Sequence, residues 1–182
     1  MIHQRNAALL LLFIIQTSVV GFGQTTNPPQ TLRGVLLEQL RTTHDQKDWF
    51  VPVTVAIEGL TADQVKWKDT AGNHSIGQLV NHLLFWNQRE LEKFKGKKSA
   101  GFSGNNDETF NSFDTKNWTA TVQKLNEVLS ELEKVVESTD EATLKSSASE
   151  IAHIGTHNAY HTGQIVYIRK LQGSWNAAKG VK

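Results

Sequence analysis

The sequence predicts an all-α fold, a four-helix bundle with a long crossover between helices 2 and 3. Three observations carry this expectation. Apolar residues recur at helical spacing in four separate stretches. Only three prolines interrupt 182 residues. One stretch rich in Gly, Ser, Asn and Asp, residues 96–115, divides the four into two pairs. Five tryptophans give the core its anchors, and a chain of this length forms one domain that buries about two-thirds of its unfolded surface.

Residues 1–23 read as a signal peptide. Arg5 and the terminal amine precede an apolar stretch over residues 7–20, and Gly21 and Gly23 supply small side chains before a cut near Gly23-Gln24. Gln16, Thr17 and Ser18 interrupt the apolar run, which falls short of the roughly 20 residues a membrane span needs. The expected destination is the periplasm or the extracellular space, with no stable membrane anchor after cleavage. Residues 24–30 form a linker, 31–176 the helical domain and 177–182 a C-terminal tail.

Leu32, Val35, Leu36 and Leu40 place a first helix from about residue 31 into 45–49. Pro52 kinks or restarts it, and Gly59 stops the continuation through Val55 and Ile57. In the second helix Ile76, Leu79, Leu83 and Phe94 form the apolar stripe, with Ser75 or Asn73 as N-cap and Gly96 just past the end. The crossover follows, pinned by Phe102, Phe110 and Phe113. Val122, Leu125, Leu129, Leu132 and Val136 define a purely structural third helix over 118–138. Ser138-Thr139-Asp140 breaks it, and after a short turn a fourth helix is expected over 147–172, ended by Gly173.

The chain has no cysteine, so any metal must be held by nitrogen or oxygen. Loss of Arg5 with the leader leaves 18 basic residues against 18 acidic ones, which gives no electrostatic case for nucleic acid as a partner.

Three of the seven histidines, His153, His157 and His161, lie in the fourth helix. Residues four apart stand above one another, so His157 and His161 can aim at one point, as in helical zinc sites. At 100° per residue, Ile154, His161, Ile165 and Ile168 fall within about 40° of one direction, and His157 is about 40° from His161, so the pair faces the core. His153 is about 80° from His161 and sits at the edge. Core histidines held by hydrogen bonds are the alternative, but each imidazole would then need a buried partner. His82 is the third candidate ligand by position, one turn from Gln78 and Trp86, with His44 and His74 competing.

The stretch Asn73-His74-Ser75-Ile76-Gly77-Gln78-Leu79-Val80-Asn81-His82, with His157-Asn158-Ala159-Tyr160-His161-Thr162-Gly163-Gln164-Ile165, resembles the DinB/YfiT-like superfamily of metal-dependent enzymes. The resemblance covers nearly all of the chain after the leader, including Trp49-Phe50-Val51-Pro52 and Glu58-Gly59-Leu60-Thr61. It implies a DinB-like four-helix bundle over 31–176 and a divalent metal ion, zinc or nickel, held by His82, His157 and His161. The signal peptide departs from the cytoplasmic thiol transferases of this family.

Three neutral imidazoles leave such an ion an open position for water, as in catalytic sites. The expected activity is that of an exported metal-dependent hydrolase or transferase acting on a small molecule. The alternatives are a non-catalytic helical binding protein with a structural metal and a thiol-dependent S-transferase. Glu150 is the candidate catalytic carboxylate, about 20° from His161 on the helical wheel but roughly 16 Å from it along the axis. Its other reading is a carboxylate favoured in a first helical turn. Asn81, Asn158 and Gln164 are candidates for holding the far nitrogen of a ligand imidazole. Trp86 and Phe85 line a pocket mouth or fill core, and Tyr160 is expected at a helix seam. Trp118 and Trp175 are candidates for a homodimer interface or for covering helix ends.

Overall fold

The computed structural model describes residues 31–97 and 101–181; the expected signal peptide and linker lie outside them. Helices are the regular secondary structure of the described residues, with no strand among them. Seven α-helices follow in order: α1 (Leu32–His44), α2 (Val53–Ile57), α3 (Ala62–Lys66), α4 (Ile76–Phe94), α5 (Glu108–Asn111), α6 (Trp118–Ser138) and α7 (Glu141–Leu171). Short 3-10 turns cover Thr115–Asn117 and Ala177–Lys179.

Local chemistry sets most boundaries. The Thr31 hydroxyl accepts from Gly34 N–H at the start of α1, which ends at His44 and does not reach residues 45–49. Pro52, which has no N–H to lose, opens α2 as a separate helix, so the chain restarts after the proline. Ser75 starts α4 with a capping box: its hydroxyl accepts from Gln78 N–H while the Gln78 side chain accepts from Ser75 N–H. Gly96, at φ 71°, follows the end of α4 in the left-handed conformation that releases the chain. The fourth long helix begins at Glu141, earlier than the periodicity suggests, because the Asp140 carboxylate accepts from both Ala142 and Thr143 N–H. Asp140 therefore starts the next helix instead of opening a turn. The short helices α3 and α5 are too brief to show an apolar period.

The four long helices close around one apolar core. α6 packs on both α1 and α4, and α7 packs on the same two from the other side. Leu36 and Leu40 of α1, Leu79 and Leu83 of α4, Leu125 and Leu132 of α6, and Ile151 and Ile165 of α7 are all buried there. Each such side chain contributes about 1.5–3 kcal/mol of transfer free energy. α1 and α7 approach closely at Gly155, where a Cβ would stand 3.3 Å from the Gln39 Cβ. Arg169 near the end of α7 donates to the carbonyls of Ala56 and Glu58, which ties α2 to that helix.

Trp118 and Trp175 are half-buried, and Arg169 lies over the Trp175 ring. Trp49, Tyr160 and Tyr167 are the more exposed aromatics, so Tyr160 is not sealed into a helix seam.

Candidate metal centre and its cleft

One face of α4 carries His82, Trp86 and Glu90 at steps of four, and the facing side of α7 carries Glu150, Ile154, His157 and His161. Equal spacing on two adjacent helices turns these stripes into opposing walls. Asn106 and Phe110, from the segment between α4 and α6, add a third wall. The resulting cleft has a volume of about 640 Å³. Midway, Asn87 of α4 and Asn158 of α7 exchange buried amide hydrogen bonds of 2.8 and 3.2 Å. Asn158 therefore locks the two helices together and does not hold a ligand imidazole.

The structure brings His82, His157 and His161 together at one end of the cleft. One ring nitrogen from each lies within 4.8 Å of the others, and the Nε2 atoms of His82 and His157 are 3.1 Å apart. Two nitrogens bound to zinc at about 2.0–2.1 Å in a tetrahedron stand roughly 3.3 Å apart, so this pair has nearly the separation a shared cation requires. Burial lowers all three histidine pKa values. His82 falls to about 3, with repulsion from His161, His157 and His74 adding to burial, and His157 falls to about 4. For His161 the hydrogen bond it makes to Gln164 offsets part of the effect of burial. All three are pushed toward the neutral form, the form in which an imidazole offers a lone pair to a cation.

The outer nitrogens are tied down. His82 Nδ1 is 2.5 Å from the Thr109 hydroxyl oxygen, which is itself 2.6 Å from the Asn106 carbonyl. A carbonyl can only accept, so the Thr109 hydroxyl donates to Asn106 and Nδ1–H of His82 donates to Thr109. The same logic makes His161 Nδ1–H the donor to Gln164 Oε1 at 2.7 Å. Both arrangements leave Nε2 unprotonated and aimed inward, the usual pattern behind ligating imidazoles. Gln164 takes the role expected for it from the sequence. Asn81 acts one step removed, donating to the Thr109 carbonyl and the Ser112 hydroxyl and so holding α5 against α4.

Phe110 stacks on His82 with centroids 3.9 Å apart, and His74 stacks on the other face of Phe110 at 3.8 Å. His74 thus supports the wall and stays out of the triad. His44 is buried elsewhere, with Nδ1 2.6 Å from Glu133 and Nε2 2.8 Å from Asn126. With Asp45 and Glu133 it forms a second group of metal-capable residues, but both ring nitrogens already have oxygen partners. His153 is exposed and reaches only the rim of the cleft.

Glu150 lines the end of the cleft away from the histidines and is paired with Lys93. The hydrogen bond from Lys93 holds its carboxyl below the ordinary range. Because α7 starts at Glu141, Glu150 lies beyond the first helical turn. Two residues here escaped the sequence reading. Glu90 faces Glu150; burial, followed by the adjacent carboxylate, raises its pKa, and its Oε2 is buried with no hydrogen-bond partner. Its position eight residues after His82, on the same helical face, was the available signal. Thr109 sits in α5, where no periodicity marks it.

An all-helical domain with three inward imidazoles at the end of an open cleft defines a class of histidine-centred helical proteins. The family model of the DinB superfamily matches residues 53–165, more than half of the chain and all three histidines. The chain belongs to the DinB superfamily. Neither the curated proteins nor the solved structures give a significant match.

Proposed function

We propose that the protein is an exported, divalent-metal-dependent enzyme, a hydrolase or transferase acting on a small molecule, with zinc or nickel held by His82, His157 and His161. The observation that carries this is the convergence of three neutral imidazoles, with Thr109 and Gln164 fixing two of them from behind, at the end of a cleft of small-molecule size. Bound there, the ion would supply Lewis acidity toward an ester, an amide or a thiol. Thr109 and Gln164 keep two donors in one tautomer, Phe110 shields His82 from water on one face, and Trp86 and Ile154 offer apolar surface to a substrate. Glu150, already engaged by Lys93, serves this site as part of the cleft wall.

The helix arrangement supports a four-helix bundle with a crossover. A Cβ on Gly77 would overlap the ring of Phe113, which packs against Trp118, while Lys95 at the other end of α4 pairs with Glu131 late in α6. Matching ends make α4 and α6 parallel, so the segment between them travels back along the bundle. The sequence of residues 1–23 supports export. No helix among the described residues is long and apolar enough to cross a membrane.

Equilibrium dialysis against zinc or nickel followed by elemental analysis tests the centre. The expected result is about one ion per chain, with affinity reduced by at least roughly 100-fold in His161→Ala, since loss of one ligand should exceed the 10–100-fold typical of a lost supporting contact. Undiminished binding in that variant would remove the basis of the proposal.

A further inference from the structure

The cleft is polar in two different ways. At one end stand the three imidazoles. At the other, eight residues along α4 and seven along α7, stand Glu90 and Glu150, a separation of roughly 10–12 Å measured along the helices. Lys93 pairs with Glu150, while Arg89 lies over the rings of Phe85 and Phe102. Glu90 lines this end of the cleft beside Glu150, and its Oε2 is buried with no hydrogen-bond partner. A buried carboxylate oxygen without a donor is costly unless a ligand supplies one.

We propose that Glu90 is a specificity-determining residue, the distal anchor for a substrate that carries a protonated amine roughly 10 Å from the group bound at the histidine end. The inference rests on the metal-site reading above and adds the substrate class: an aminoalkyl compound with a Lewis-basic head and a cationic tail. Charge complementarity supports this polarity. A divalent cation among neutral imidazoles makes one end of the cleft positive, whereas the other end is lined by two carboxylates, Glu90 and Glu150, and by no lysine or arginine among the described residues, the charges of Lys93 and Arg89 acting on them from outside the lining. Trp86 and Ile154 between them provide apolar surface for an alkyl spacer. The raised pKa of Glu90 fits the same account, because a carboxyl pushed toward its neutral form by burial and by Glu150 regains its charge when an ammonium arrives.

Calorimetric titration of the zinc-loaded protein with three hydroxamates separates the two levels of the argument. Acetohydroxamate carries only the metal-binding head, hexanohydroxamate adds an apolar tail, and 6-aminohexanohydroxamate ends that tail in an ammonium. The amino compound is expected to bind about ten-fold tighter than hexanohydroxamate, the size of one charge-assisted hydrogen bond in a partly buried site. In Glu90→Gln that advantage is expected to vanish while acetohydroxamate binds as in the parent. Lys93→Gln, an exposed change that leaves Glu150 uncompensated, should enlarge it. An absent advantage in the parent, or one that survives Glu90→Gln or fails to grow in Lys93→Gln, overturns the anchor while leaving the metal site standing. Failure of acetohydroxamate to bind the parent overturns the metal-site reading, and the anchor with it.

Discussion

At the scale of single residues, the site depends on which nitrogen of each imidazole carries the proton. Thr109 decides this for His82, because its hydroxyl, committed to the Asn106 carbonyl, can only accept from Nδ1–H. Thr109→Val keeps the β-branched shape but removes the acceptor, leaving a buried N–H without a partner and both tautomers of His82 accessible. Zinc affinity is expected to fall about 10–100-fold, as for other lost supporting contacts behind metal ligands, with Thr109→Ser recovering most of it. Competition with a chromogenic chelator measures this directly. Equal affinity in Thr109→Val and the parent would show that the hydroxyl does not set the tautomer.

At the scale of elements, legibility followed length. α6 runs from Trp118 to Ser138 as its five apolar positions require, and the capping box at Ser75 marks the start of α4. The start of α7 is not legible in the sequence because Asp140 can break one helix or cap the next, and only its bonds to Ala142 and Thr143 distinguish the two. The pairing of His157 with His161 follows from a spacing of four, whereas the choice of His82 over His44 and His74 depends on how α4 faces α7. Long-range packing settles that. Nor does any periodicity reveal that α5, four residues long, would deliver Thr109 and Phe110 to the back of His82. The same segment seats Phe113 over Gly77 on α4. Gly77→Ala would force that ring aside at about 1–3 kcal/mol, more than the up to ~1 kcal/mol that alanine gains in helix propensity. Urea denaturation should therefore show a lowered midpoint. A midpoint at or above the parent's would mean that Phe113 can move without loss.

At the scale of the whole molecule, two buried histidine environments pull stability in opposite directions with pH. His82 and His157 in the metal-free protein have folded-state pKa values of about 3 and about 4, depressed from 6.5. The stability they contribute is complete above pH 6.5 and is lost as pH falls through the lower values. At His44 burial alone would lower the pKa, but hydrogen bonds to Glu133 and Asn126 and the charges of Glu133 and Asp45 overcome it and raise the value above 6.5. Both its partners are oxygen acceptors, so the charged ring is the form the structure satisfies. Its contribution is complete below pH 6.5 and disappears as pH rises through the folded-state value. Metal-free protein should thus be most stable near pH 6.5, with the alkaline side steepened by His44 by at most about 1.4 kcal/mol per pH unit. His44→Gln removes the titrating group but keeps an amide within reach of the same oxygens. The difference in unfolding free energy between parent and His44→Gln, measured by urea denaturation from pH 5 to 9, should be constant below about pH 6 and shrink above about pH 6.5 as the parent loses its imidazolium. The acid limb, which belongs to the histidines of the cleft, should be the same in both proteins. A difference that stays constant or widens with rising pH would show that His44 is held in its neutral form.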